Sequence, residues 1–575
     1  MFWVHFLDQS TVFQLGMSHR FLIILCISVA GIAFVLSDLD SVYGQTIEVG
    51  DIRDDQYRLL QLYSDSTTST SFMNRTVWME PYRNKFNEIE DQSGSWWARP
   101  IESPRITLPY GFSGGVYEPV ISQTFNSALP YGGNNGPAWY GKGFTSELSG
   151  GVYLTSDYLT ITFRPHFSQH QNRAFEEPRF IPRNNLGDPT YQGIVTGIDN
   201  PFRFGPDSFS TLHLGGSSVR VHYKPIEFGA STETLWWGPG TQNALVMSNN
   251  APGIKHLFLG TRYPIKLPLR LGGLEFRFIG GWPEDSDFYA AESPQRYVSA
   301  LHVVYSPSFF PNLYVGANRL THLYVPESGL TAAEIFTSQP FAERQLTGNN
   351  SDQNEMASIF FRWVFPEASA EVYGSYFRED SFYDSRDLFL QIDHDRAYTI
   401  GFQKLIYFDR IDFVKVNLEL SNLVPNRVAE VRPQVPYYRH FRIRQGHTNG
   451  GQILGAQIGP GSGSQYLGVD GYFHSGRVGF FLQRVEVNDF FHFDYYRTRP
   501  IGIGYKDIFR NRININYGVN GLYIFRSLMV EGGLVMNHNL NYGRFDYGDL
   551  DTTFETFEPY DILNVQLQFS VRYLF

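Results

Sequence analysis

Apolar and polar residues alternate with a period of two through most of this chain, and the pattern is cleanest at its end. Asp561–Phe575 reads DILNVQLQFSVRYLF. Leu563, Val565, Leu567, Phe569, Val571, Tyr573 and Phe575 share one parity; Asn564, Gln566, Gln568, Ser570 and Arg572 share the other. Successive side chains of a strand point to opposite faces, so this segment predicts one apolar and one polar face. Soluble strands have a mode of about 5–6 residues, whereas a strand crossing a bilayer at a tilt needs about 9–11. An edge strand of a large soluble sheet would show the same alternation, and the rest of the chain decides between the two.

The pattern recurs from about Val116 onwards. Thr145–Thr155 and Tyr158–Phe167 predict a hairpin around Ser156-Asp157, with Leu159, Ile161 and Phe163 set against Thr160, Thr162 and Arg164. Val219, Val221 and Tyr223 alternate with Arg220, His222 and Lys224, and Leu274, Phe276 and Phe278 with Glu275 and Arg277. Ala357–Phe365 sets Ile359, Phe361, Trp363 and Phe365 on one face. Phe413–Leu420 opposes Val414, Val416, Leu418 and Leu420 to Lys415, Asn417 and Glu419. Ile513–Tyr523 opposes Ile513, Ile515, Tyr517, Val519 and Tyr523 to Asn514, Asn516 and Asn520. Charges in these segments keep to the polar parity, as a water-facing lumen requires. A closed barrel is the sheet that can span lipid, because an open edge leaves backbone groups unpaired. Allowing roughly 24 residues per strand with its connection, Thr145–Phe575 gives about 18 strands. The expectation is an all-β chain: a large antiparallel transmembrane barrel over residues 116–575, its last strand closing near Thr145–Thr155. Long connections, expected at His166–Phe209, Asn318–Ala357, Arg378–Tyr398 and Val424–Gln452, would face the outside of the cell.

Ahead of the barrel the pattern differs. Arg20 precedes the uncharged apolar run Phe21–Leu36, and Val42-Tyr43-Gly44 precedes Gln45. Residues 1–44 are expected to be a cleaved secretory signal with an N-terminal extension, Met17 being the alternative start. The apolar run is short of the roughly 20 residues of a retained anchor helix. Residues 45–115 are expected to form a small periplasmic or plugging helical segment. In it, Asp51–Tyr63 spaces Ile52, Tyr57, Leu59, Leu60 and Tyr63 as an amphipathic helix behind acidic first-turn residues. Phe72–Arg83 suggests a second short element, and Trp96-Trp97 shows no period.

Composition narrows the classes. Charged residues are 18% of the chain, against roughly 25% in soluble proteins, and aromatics reach 16%. The 54 glycines and 36 tyrosines fit many turns and interfacial aromatic girdles. A mean hydropathy of −0.25 excludes a helical membrane bundle, and a net charge of −11 argues against a nucleic-acid partner. The single cysteine, Cys26, falls in the signal, and Leu25 before it is too bulky for a lipoprotein cleavage site. The mature chain then has no disulfide, thiolate metal site or cysteine nucleophile.

Two stretches stand apart from the alternation. Leu235–Gly253 reads LWWGPGTQNALVMSNNAPG, and Asn126–Gly143 reads NSALPYGGNNGPAWYGKG. With Asp199–Gly205 (DNPFRFG), and Arg58–Leu62, Ser71-Phe72 and Arg75 ahead of the barrel, the chain resembles the Wzi capsule-assembly family of outer-membrane proteins. The resemblance implies an eighteen-stranded barrel with a small periplasmic helical part. It also implies a lectin-like role at the bacterial outer membrane, binding capsular or exported polysaccharide. Further partners on this reading are outer-membrane lipids and the barrel-assembly machinery, which the terminal aromatic Phe575 would address. No cofactor is implied.

Sugars combine apolar C–H faces with a rim of hydroxyls, and aromatic platforms, planar amides and arginines suit them. Asn126, Asn134, Asn135, Trp139, Arg220, Trp236, Trp237, Asn249 and Asn250 are the candidate ligand-binding residues. The same residues have plainer uses: Gly-Pro-Gly and Asn-Asn form turns, and paired tryptophans sit in girdles or pack inside barrels. Arg220, His222, Lys224, Glu275 and Arg277 can meet an acidic polysaccharide or pair with one another across strands. A hydrolase would need an activated serine or aspartate. His166, Ser168, His170, Asp393, His394 and Asp395 offer the residue types without a recognised motif. Gly459–Gln465 is glycine-rich but lacks the lysine of a phosphate loop. The reading is a non-enzymatic surface-polysaccharide-binding barrel; a passive porin-like channel is the alternative, and an outer-membrane hydrolase a weaker one.

Overall fold

The computed structural model describes residues 46–63, 70–78, 94–99, 104–176, 198–289, 294–338, 353–379, 385–424, 437–440, 442–487, 512–542 and 561–575. The expected signal, 1–44, lies outside these residues.

Eighteen antiparallel strands close into a barrel. The first six are β1 (Ser113–Asn126), β2 (Gly143–Thr155), β3 (Leu159–Phe163 continued by His166–His170), β4 (Phe209–His213 continued by Ser218–Tyr223), β5 (Ile226–Ser231) and β6 (Lys255–Thr261 continued by Ile265–Leu267). Next come β7 (Gly272–Trp282), β8 (Arg296–Pro307), β9 (Leu313–Tyr324), β10 (Asn354–Phe365), β11 (Ala370–Glu379) and β12 (Arg396–Phe408). The last six are β13 (Ile411–Asn422), β14 (Gly463–Phe473), β15 (Gly476–Glu486), β16 (Ile513–Phe525), β17 (Leu528–Leu540) and β18 (Ile562–Tyr573).

The closing seam joins β18 to β1, with Gln566 opposite Asn126 and Arg572 opposite Val120. The seam was expected beside Thr145–Thr155, which is β2, one strand further round. Pro119 hides β1 in the sequence: the ladder to β2 slips between Tyr117 and Val120, and the slip breaks the parity. Connections are short at one end, as at residues 409–410, 474–475 and 526–527, and long at the other, as at 232–254 and 423–462. Short turns mark the periplasmic end of such barrels and long loops the outside. Three expected loops were drawn too wide: His166–His170 belongs to β3, and the Asn318–Ala357 and Arg378–Tyr398 connections include the ends of β9 to β12.

The outward parity forms an apolar, exposed face. On β18, Leu563, Leu567 and Phe569 are about half exposed, whereas Asn564 and Gln566 are buried inward. On β10, Ile359, Phe361 and Trp363 face out while Ser358, Phe360 and Arg362 face in.

The described residues before the barrel pack inside the lumen near its short-turn end. Helix α1 (Ile52–Tyr63) buries Leu59, Leu60 and Leu62 in a cluster with Val304, Phe360, Val364, Leu405 and Phe413 of the wall. Its polar side chains reach around the barrel. Arg58 and Arg362 share the carboxylate of Glu371 at 2.5 Å each. Arg53 pairs with Glu118 of β1 at 3.2 Å, and Asp55 with Lys415 of β13 at 2.6 Å and Arg477 of β15 at 3.4 Å. Asp51, just before the helix, meets Arg572 of β18 at 2.9 Å and Arg164 of β3 at 3.3 Å. Trp96 and Trp97, aperiodic in sequence, are buried; their indoles donate to the Gly476 carbonyl at 3.0 Å and to Asp412 at 2.9 Å. Short strands Asn74–Arg75 and Val77–Trp78 occupy the first half of the expected Phe72–Arg83 element. Residues 79–83 lie outside the described set.

Candidate functional site

Three outside connections fold inward above this plug. The β5–β6 loop descends furthest, where Trp236–Trp237 pairs with Asn74–Arg75 as a two-stranded ladder. Gly238, at φ 117°, lets the chain turn back. The Glu419 carboxylate of β13 then accepts the backbone N–H groups of Thr241 at 2.6 Å, Gln242 at 3.1 Å and Asn243 at 2.8 Å. Successive amide groups make such an anion-binding concavity, here used for holding a loop. The β13–β14 loop clamps the return: Tyr438 donates to the Leu245 carbonyl at 2.8 Å and Ser248 to that of Gly455 at 2.5 Å.

The β1–β2 loop is tied at its base and tip. The Asn126 amide donates to the carbonyls of Tyr131, Tyr140 and Gly141 at 3.1, 3.1 and 3.2 Å, and its oxygen accepts from Asn564 at 3.1 Å. At the tip, Asn134 sits at φ 57°, a left-handed conformation asparagine tolerates. Its N–H donates to Asn250 Oδ1 at 3.2 Å, and Asn249 Nδ2 donates to its carbonyl at 2.9 Å. The Asn-Asn pairs of the two sequence motifs therefore interlock.

Between these loops is a recess of about 90 Å³ whose lining includes Tyr131, Asn135, Trp139, Tyr140, Asn250 and Gln452. Trp139 is half-buried and meets Phe204, from the Asp199–Gly205 motif, edge-on at 5.1 Å. Aromatic face, amides and hydroxyl surround one small volume, the combination a sugar ring needs. Beneath it lies a larger cavity of about 520 Å³, to which Asn134, Asn135, Tyr140 and Asn249 also contribute.

Five of the nine sequence candidates thus come together: Asn134, Asn135, Trp139, Asn249 and Asn250. The other four hold the scaffold. Asn126 ties the loop base. Trp236 is buried, donating to the Gly240 carbonyl at 3.1 Å with the Arg75 guanidinium 4.8 Å from its ring. Trp237 stacks on His302 at 5.3 Å. Arg220 lies in the wall, bonded to Glu227 at 3.3 Å and to Glu233. Arg277 also pairs with Glu227, so these lumen charges pair with one another. Glu275 accepts from Ser71 at 2.7 Å, His222 contacts Thr160 and Arg262 at 3.1 Å each, and Lys224 lies over the Tyr223 ring. Gln452 was missed: it comes from a separate loop and carries no motif of its own.

The histidines weighed for hydrolysis each have a partner of their own. His166 contacts Glu147 at 3.1 Å, and His394 contacts Asp395 at 2.7 Å. His170 meets Ser168 at 2.8 Å, but its other nitrogen bonds the Trp139 backbone carbonyl, and Ser168 is buried against Thr211. That arrangement braces Trp139.

A family model described as capsule assembly protein Wzi matches residues 127–494. No curated protein matches the chain. Among solved structures the chain is similar to Wzi of Escherichia coli, an outer membrane protein involved in group 1 capsule assembly and described as a carbohydrate-binding β-barrel. The identity is 11% and the TM-score 0.57, over 92% of this chain and 99% of that one. It is also similar to a BenF-like porin from Pseudomonas fluorescens, at 9% identity and TM-score 0.40 over 80% of this chain and 98% of that one. OprD from Pseudomonas aeruginosa matches at 9% identity and TM-score 0.38, over 80% and 92%. The family match covers both interlocking motif loops and most of the barrel: the chain belongs to the Wzi capsule-assembly family.

Proposed function

We propose that this barrel is exported by a cleaved signal to the outer membrane, where it binds surface polysaccharide and helps hold it as a capsule, without bond-breaking chemistry. The observation that carries the reading is the recess in which Trp139, Asn135 and Asn250 converge from two loops on the outward-facing end. Its family membership supports the same role. The structure offers less to a passive porin, because α1 and the Trp236–Trp237 ladder occupy the lumen.

Replacing Trp139 by Ala in the purified barrel tests the site. Binding to the cell's own polysaccharide is expected to weaken by about tenfold, equivalent to ~1.4 kcal/mol. Unchanged binding with the barrel folded would remove the recess from the reading.

A further inference from the structure

The larger cavity below the recess is bounded by the loop tips above and the plug below. It reaches from Asn134 and Asn135 down to Asp51 of the plug, against the inward faces of β15 to β18 and β1. Six of its lining residues, Asn134, Asn249, Arg164, His166, Arg477 and Arg572, each carry a buried polar atom without a hydrogen-bond partner. In Asn134 and Asn249 it is the amide oxygen, in His166 Nδ1 and in the arginines Nε. Asn249 is 5% exposed, Arg164 5% and Arg572 7%. A buried unpaired polar group costs about 1–3 kcal/mol, and the same lining also carries Ser122, Thr124, Ser570, Asn520 and Gln568, hydroxyls and amides that suit a polar guest.

The charge around the cavity says which kind. Arg164 is matched by Glu48 at 3.1 Å and by Asp51, Arg572 by Asp51, and Arg477 by Asp55. Glu531, on the inward parity of β17, has no ion-pair or hydrogen-bond partner among the described residues. No cation is left over for an anionic guest, while one carboxylate is. Gln568 offers an amide opposite Thr124, and Tyr140 and Phe481 offer ring faces.

We infer that this luminal cavity is a second glycan site, taking one uncharged sugar residue and disfavouring uronates. It shares Asn135 and Tyr140 with the recess, so a chain held outside can lower one residue inward past them. The inference rests on the polysaccharide reading and deepens it.

Gly533 gives a direct test. It lies on the inward parity, and a Cβ built there meets nothing closer than 3.5 Å, so a leucine there keeps the backbone and narrows the cavity. Purified full-length barrel is titrated with methyl glucoside, methyl galactoside and methyl mannoside, with glucuronate, and with the cell's own polysaccharide. At least one neutral glycoside is expected to bind, Gly533→Leu and Gln568→Leu each weakening it by about tenfold or more, while Trp139→Ala weakens chiefly the long polymer. Glu531→Gln is expected to raise glucuronate affinity severalfold. Heat-modifiable migration confirms that each variant is folded, and Gln568→Leu stands in should Gly533→Leu not assemble. Neutral-glycoside binding untouched by both cavity variants overturns the inference. Binding of the polymer but of none of the glycosides also overturns it while leaving the surface reading standing. Binding of neither sinks both.

Discussion

At the scale of single residues, the interior is organised by shared carboxylates. Glu371 serves Arg58 of the plug and Arg362 of β10, all three buried. Removing one partner of such a group leaves uncompensated buried charge, at a cost of about 3–5 kcal/mol. Glu371→Gln is expected to lower the unfolding midpoint in denaturant accordingly, and a change below experimental error would refute the shared-carboxylate role. Asp55 adds a pH dependence. Burial pushes its carboxyl up, but Lys415 and Arg477 outweigh that and bring it down to about 2. Asp51 is likewise buried, yet the guanidiniums of Arg53 and Arg572 hold it well below the usual range. A carboxyl depressed in the folded state stabilises above its unfolded pKa, and that stability is lost as pH falls through the folded value. Asp54 runs the other way, raised by burial against the pull of Arg75. Plug docking is therefore expected to weaken between about pH 4 and pH 2, read as pepsin cleavage of the N-terminal segment, with a smaller pH dependence in Asp55→Asn. Residue roles were the least legible part of the sequence. The arginine at 220 suits a sugar or a carboxylate equally well until Glu227 and Glu233 are seen beside it. The side-chain partners of Asn250 lie more than a hundred positions away along the chain, at Asn134 and Ile453.

At the scale of elements, the strands were legible because the outward face is apolar and the inward face mostly polar, with inward apolar residues such as Phe360, Phe413 and Leu522 where the wall meets the plug. The alternation failed where prolines and glycines interrupt pairing. Pro119 bends β1, and Arg164-Pro165 splits β3, with Arg164 bridging only to Gly215 across the gap. The loop that makes the site is an element in its own right, fixed by Glu419 through three backbone amides. Glu419→Ala is expected to free the Gly-Pro-Gly turn. Protease nicking within residues 238–245 should rise and polysaccharide affinity fall, with barrel assembly intact. Loss of neither would show that the β13–β14 clamp suffices.

At the scale of the whole molecule, the barrel is closed at its seam and filled in two storeys, the plug below and three inward loops above. Deleting residues 46–78 removes the lower storey and is expected to raise single-barrel conductance in planar bilayers. Equal conductance with and without the segment would mean that it does not limit the lumen. The barrel and its helical lead-in were readable from alternation and helical spacing, while the count of about 18 came from chain length over Thr145–Phe575, a span that leaves out β1. The inward folding of the loops was not readable, because a turn-rich stretch reads alike whether it faces solvent or descends into a lumen. The role of the whole assembly is tested most directly in cells, by removing the gene, restoring it, and measuring cell-bound against released polysaccharide. Loss of the protein should shift polysaccharide from the cell-bound to the released fraction with the total unchanged; an unaltered ratio would contradict a capsule-holding barrel.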